Sequence, residues 1–110
     1  LSDQNNASPL LGLYSNNGEA YILIAQLYAS SANNIFSEPE KAGLVYLAAV
    51  DKLQKARAVD PSVASKANSL INRYSAAFMD AETAFMMGIK AGESIFIPGW
   101  IGETTTVRLR

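Results

Sequence analysis

The sequence predicts an all-α domain of antiparallel helical hairpins, about four helices in two pairs, with a short β-like tail at the C-terminus. Apolar residues recur every three or four positions through most of the chain, which is the spacing of one helical face. After residue 92, β-branched residues and turn dipeptides replace that spacing. With 110 residues, of which 49% are hydrophobic, the chain suits a single domain with a modest core.

The first stretch, residues 1–17, is rich in Asn and Ser, and we expect it to form a loop or a single helical turn. A proline and a glycine interrupt its one apolar patch, residues 10–14, and we expect this patch to cover the helical core rather than to contact a partner. Asn16, Asn17 and Gly18 offer an N-cap, and Glu19 places a negative charge in the first turn, where the helix dipole favours it. The first helix is therefore predicted over residues 19–32.

The first helix pair, residues 18–61 with an insertion, combines a continuous apolar run with a helix that has clear start and stop signals. Residues 20–25 lack a polar face, which predicts burial on most sides. Ser37 and Glu40 have the spacing of a capping box at the start of the second helix. That helix should end just before Pro61, which cannot continue the hydrogen-bond ladder. Its apolar face consists of Ala42, Tyr46, Ala49, Leu53 and Ala56.

The second pair, residues 62–92, is atypical but begins with a similar signal. Asp60 supplies a capping carboxylate, and the proline that follows suits the first turn of a helix. The apolar residues of the third helix have the same spacing as before: Val63, Ala67, Leu70, Tyr74 and Ala77. A short fourth helix is predicted over residues 81–87, with Asp80 as a candidate cap at its start. We expect this helix to end at Gly88, where a left-handed conformation is needed.

The tail, residues 93–110, is predicted to form either a small hairpin or a single extended strand. Residues 94–97 and 104–110 are rich in β-branched side chains, and turn residues separate them. Because a two-stranded hairpin is only marginally stable alone, we expect it to pack on the helices with Trp100 as its anchor. Two interpretations of Trp100 stay open. It plugs the end of the helical core, or it contacts a partner or second copy at an open strand edge.

Composition disfavours several functional classes. The chain has no cysteine and no histidine, which removes thiol nucleophiles, the commonest metal ligand and the usual general base. We therefore expect no enzyme, no metal and no cofactor. Nine basic and ten acidic residues leave a net charge of -1, so we expect no nucleic-acid partner. The apolar runs are too short to span a bilayer, so no membrane insertion is expected.

The two helix pairs share a spacing of aromatic, aliphatic and small residues. The matching positions are Tyr21, Ile24, Ala25 and Tyr28 in the first pair, and Ala67, Leu70, Ile71 and Tyr74 in the second. The second helix of the first pair continues with Ala49, Leu53, Ala56 and Pro61. This pattern resembles the tetratricopeptide repeat, with an insertion between Tyr28 and Ala49 and a last helix that fits poorly. Together with the tail, it is similar to the C-terminal end of a larger bacterial protein of that family.

The resemblance implies a non-enzymatic scaffold that binds a protein or peptide in a groove lined by the first helix of each pair. The groove positions are Glu19, Ile22, Gln26 and Ser30 in the first pair, and Ser65, Asn68, Asn72 and Ser75 in the second. Repeats of this family that clamp a C-terminal carboxylate use Lys and Arg at such positions. Here Asn72 matches the asparagine of such a clamp, but no Lys or Arg accompanies it. We therefore do not expect a carboxylate clamp. The alternative for these side chains is an ordinary solvated helix face.

Two other functions stay open. One is a capping domain that ends a repeat stack and forms a homo-oligomer through its tail. The other is a carboxylate-based hydrolase. The hydrolase requires paired acids in a deep pocket. The sequence does not distinguish a periplasmic or secreted location from a cytoplasmic one.

Overall fold

The computed structural model describes residues 17–110, which are mostly helical and carry one small antiparallel sheet. The helices are α1 (Gly18–Ser30), α2 (Ala32–Ile35), α3 (Ala42–Val59), α4 (Ala64–Ser75) and α5 (Ala81–Met86), and the strands are β1 (Ser94–Ile97) and β2 (Glu103–Thr106). Single 3₁₀ turns, Pro39–Lys41 and Pro61–Val63, precede α3 and α4. The mostly helical class is confirmed. The prediction for residues 10–14 lies outside the described residues.

Helix α3 is the centre of the molecule. Both α1 and α4 pack against it, and both strands of the hairpin contact it. Ala49, Leu53 and Ala56 are completely buried, which confirms the predicted apolar face. At the start of α3, Gly43 allows a close backbone approach, because an added Cβ would lie 2.7 Å from the carbonyl oxygen of Ala77. Small residues therefore set how closely α3 meets its neighbours.

The predicted helix caps are confirmed at three places. Side-chain oxygens of Asn17, Asp60 and Asp80 each accept a hydrogen bond from a backbone N–H in the turn that follows. These bonds satisfy donors that have no partner within the helix. The pKa of the Asp80 carboxyl lies below its usual range, chiefly because the backbone N–H of Thr83 donates to it. Local sequence alone therefore fixes these helix starts.

The predicted capping box at Ser37 is wrong. Helix α3 begins at Ala42, and the Ser37 hydroxyl donates to the neighbouring Glu38 carboxylate at 3.1 Å. Pro39 opens a 3₁₀ turn instead, since its fixed φ suits a tight first turn. That turn and α2 lie between α1 and α3, where an insertion relative to the tetratricopeptide pattern is predicted. Helix α2 raises the number of helices among the described residues above the predicted four.

Helix α1 is less buried than its apolar run predicted. Tyr21, Ile24, Ala25 and Tyr28 are buried, whereas Leu23 and Leu27 are 51% and 47% exposed. Helix α1 packs against α3, α2 and the Pro61–Val63 turn, which together cover only part of its surface. An apolar composition did not guarantee burial on most sides.

The tail forms a hairpin, which decides between the two predicted forms. Strands β1 and β2 pair antiparallel, with Phe96 opposite Thr104. The residues that anchor the hairpin are Ile97, Ile101 and Val107, all of them buried. Trp100 is 41% exposed, yet its ring packs against Tyr28 of α1, so Trp100 joins these aliphatic residues in holding the hairpin on the helices.

The second helix pair differs from the predicted hairpin. Within residues 17–110, α5 makes no extensive contact with α4 along its length. Instead α5 is a single short helix held through the buried Ala84. It ends at Met86, and Gly88 just after it has the predicted left-handed conformation, with a φ of 71°. The chain then turns directly into the hairpin.

Candidate partner-binding face

The starts of α1 and α4 lie close together. The backbone N–H of Gly18 donates to Oδ2 of Asp60 at 3.1 Å, so Asp60 joins the beginning of α1 to the turn that starts α4. Within the first turn of each helix, Nζ of Lys66 lies 3.2 Å from Oε1 of Glu19. Hydrogen bonds from the Ser62 hydroxyl and from the Gly18 N–H hold the pKa of the Asp60 carboxyl below its usual range. The two predicted groove helices are therefore linked at one end.

On α1, three of the four predicted groove residues face solvent. Glu19, Gln26 and Ser30 are exposed, and the Ser30 hydroxyl donates to the Leu27 carbonyl at 2.8 Å. Ile22 is 1% exposed and belongs to the core, so its assignment to an open groove is corrected. The apolar face of α1 is wide enough to include this position beside Tyr21.

On α4, Ser65, Asn68 and Asn72 are exposed, and Ser75 is half-buried. The side-chain oxygen of Asn68 accepts a hydrogen bond from Nη1 of Arg57, near the end of α3. The sequence analysis did not anticipate that Arg57 reaches this helix. No local signal marks the contact, because it joins residues on two different helices.

A polar cluster joins the hairpin to α1 and α3. Asp51 of α3 pairs with Nη2 of Arg108 at 2.8 Å and accepts a hydrogen bond from the Thr105 hydroxyl. Next to it, Lys52 lies 2.9 Å from the Glu103 carboxylate. Neighbouring residues of α3 thus bind both the second strand and the segment after it.

Tyr28 connects α1 to the same cluster. Its hydroxyl donates to Glu103, and burial together with that carboxylate raises the pKa of Tyr28 well above its usual range. The Trp100 ring packs edge-on against the Tyr28 ring, with centroids 5.2 Å apart. The Trp100 indole N–H donates to the Ser31 hydroxyl at 3.2 Å. Trp100 therefore lies at the end of α1, and a role in partner contact stays a prediction.

Among residues 17–110 there is no group of three or more carboxylates that could hold a metal ion, and no cavity is found there. No helix in the described part of the chain is long and apolar enough to cross a bilayer. The candidate site remains the exposed polar side chains of α1 and α4, where the tetratricopeptide resemblance implies a groove.

Comparisons with known proteins assign no family to the chain. No protein-family model, curated protein or solved structure matches it. The tetratricopeptide resemblance therefore rests on the residue spacing alone. A superhelical stacking of hairpins is likewise a prediction, since α4 and α5 do not form a second packed pair within residues 17–110.

Proposed function

We propose that this chain is a non-enzymatic protein-interaction module of tetratricopeptide-repeat type, part of a larger bacterial protein, that binds an extended peptide across α1 and α4. One observation carries the proposal. The two helices pack on the same helix, α3, with their starts linked by Glu19 and Lys66, while Gln26 and Asn72 remain exposed.

The chemistry of this face suits a peptide backbone. Gln26 and Asn72 each carry an amide that both donates and accepts, so they can pair with backbone N–H and C=O groups. The exposed Glu19–Lys66 pair contributes little to stability and is open to exchange for a partner's charge. Because most of the face is uncharged, binding should depend only weakly on salt.

A peptide selection tests the proposal. Random peptides displayed on phage are selected on the full chain, and the Kd of an enriched peptide is measured for Gln26→Arg and Asn72→Arg. We expect each variant to raise the Kd about tenfold or more. The long arginine side chain blocks the face, and removing water from its charge costs free energy. Thr104→Arg, at an exposed position on β2, is the matched control and should leave Kd unchanged. Failure to enrich any peptide, or binding that is indifferent to both α1 and α4 variants, contradicts the proposal.

Self-association through the tail is the second candidate. Strand β1 has one edge that no strand of the described chain pairs with, and Phe96 on this strand is 57% exposed. Removing the whole tail is a poor test, since it would also remove the buried Ile97 and Ile101. A single substitution, Phe96→Lys, is a better test, and analytical ultracentrifugation measures whether the variant is a monomer or a dimer. A dimer that dissociates in this variant but persists in Phe85→Lys supports the tail interface, and a monomeric wild-type chain refutes it.

A further inference from the structure

Helix α5 carries the most exposed large apolar side chains in the described part of the chain. Phe85 and Met86 are 86% and 79% exposed, whereas Ala84 just before them is buried. Each residue advances by about 100° around a helix, so Glu82, Phe85 and Met86 lie on the side of α5 opposite Ala84. Single exposed apolar residues are ordinary, but adjacent ones on one face indicate a contact surface. Neither Phe85 nor Met86 takes part in the proposed function.

A charged residue lies on each side of this apolar pair. Glu82 comes about one turn before it, Lys90 follows it just after the end of the helix, and both are exposed. Lys90 stays close to the helix, because the N–H of Ile89 donates to the carbonyl oxygen of Ala84 at 2.8 Å. Neither charge forms an ion pair with another side chain in the described part of the chain. The α5 face, as we call this surface, consists of Glu82, Phe85, Met86 and Lys90.

We infer that two copies of the chain pair through their α5 faces, related by a two-fold axis. Such an axis brings the same surface of both copies together in opposite directions. Glu82 of each copy then meets Lys90 of the other, and the apolar side chains of both copies pack between these two ion pairs. The α5 face is thus complementary to itself in charge and in polarity. The inference goes beyond the proposed function and uses neither α1 nor α4.

The order of charges favours a second copy over an unrelated partner. A partner needs a base opposite Glu82, an acid opposite Lys90 and an apolar surface between them. The chain itself carries this arrangement when it is read in the reverse direction. Strand β1 takes no part, so this pairing differs from association through the tail.

The small size of the α5 face sets the strength of the dimer. A phenylalanine buries about 150–250 Å², so the face falls well below the area of about 800 Å² that each partner buries in a standard interface. We therefore expect a weak dimer, with a Kd above about 1 μM.

Charge reversal tests the pairing, and analytical ultracentrifugation measures the Kd of the dimer. We expect Glu82→Lys or Lys90→Glu alone to raise the Kd about tenfold, because each replaces two attractive contacts with two repulsive ones. The double variant, and an equimolar mixture of the two single variants, should both restore the dimer, since opposite charges then face each other again. Lys55→Glu, at an exposed position on α3, changes the net charge by the same amount as Lys90→Glu and should leave the Kd unchanged.

Phe85→Lys tests the apolar centre of the face. Phe96→Lys is its matched control, because Phe96 is also exposed but lies on β1. We expect the dimer to be lost in the first variant and kept in the second, with helical circular dichroism showing that both stay folded. The inference is overturned by a wild-type chain that stays monomeric up to about 1 mM, or by single charge variants that dimerise as well as the wild type. A double charge variant that dimerises no better than the single ones also overturns it.

Discussion

The hairpin is expected to unfold together with the helices, and Ile101 tests this. Ile101 lies in the turn between β1 and β2, yet it is completely buried. Truncating it to Ala removes buried carbons and leaves a cavity, which costs about 2–5 kcal/mol. A domain of this size has a free energy of unfolding of about 5–15 kcal/mol, so the variant should lose a large share of its stability.

Urea unfolding monitored by helical circular dichroism measures the effect. With a slope of about 1–3 kcal/mol per molar urea, a loss of about 3 kcal/mol lowers the midpoint by about 1–3 M. Phe96→Ala is the matched control in the same hairpin. It truncates an exposed side chain and should change the free energy of unfolding by less than about 0.5 kcal/mol. If both variants leave the helical transition equally unaffected, the hairpin does not share the core and the packing argument fails.

Two further predictions concern α3 and the helix caps. Helix propensity alone favours Gly43→Ala, but the added Cβ would lie 2.7 Å from the Ala77 oxygen and 2.8 Å from the Met79 nitrogen. We expect a net loss of about 1–2 kcal/mol, seen as a lower Tm, and a higher Tm would contradict the close approach. The lowered pKa values of Asp60 and Asp80 give stability that is complete above the unfolded-state value of 3.8 and is lost as pH falls through the folded-state values. Replacing Asp80 by Asn keeps an acceptor oxygen for the Thr83 N–H and removes the titrating carboxyl. The urea midpoint should then fall less steeply on acidification, and an unchanged slope would refute this.

Local sequence predicted those features that depend on residues close in the chain. The spacing of Ala49, Leu53 and Ala56 fixed the buried face of α3, because residues three and four apart share one side of a helix. The caps at Asp60 and Asp80 followed from carboxylates just before a helix, since the bonds they make span only two or three residues. Each of these predictions needed no knowledge of the tertiary structure.

The capping box failed for a reason that is also local. Ser37 and Glu40 had the right spacing, but Pro39 between them opens a 3₁₀ turn and delays α3 until Ala42. Two local signals competed, and the fixed backbone angle of proline decided the outcome over a side-chain hydrogen bond. A spacing rule that ignores the residue in between is therefore insufficient.

Local sequence did not predict which residues anchor the hairpin or which contacts surround the candidate site. Tyr28 is hydrogen-bonded to Glu103, and Arg57 to Asn68. Each bond joins two different elements, so no periodic pattern in the sequence predicts it. Besides Trp100, the buried aliphatic residues Ile97, Ile101 and Val107 hold the hairpin, and no local pattern singled them out as anchors. The burial of Ile22 depends on how α1 rotates against α3, which the composition of a nearly apolar helix leaves undetermined.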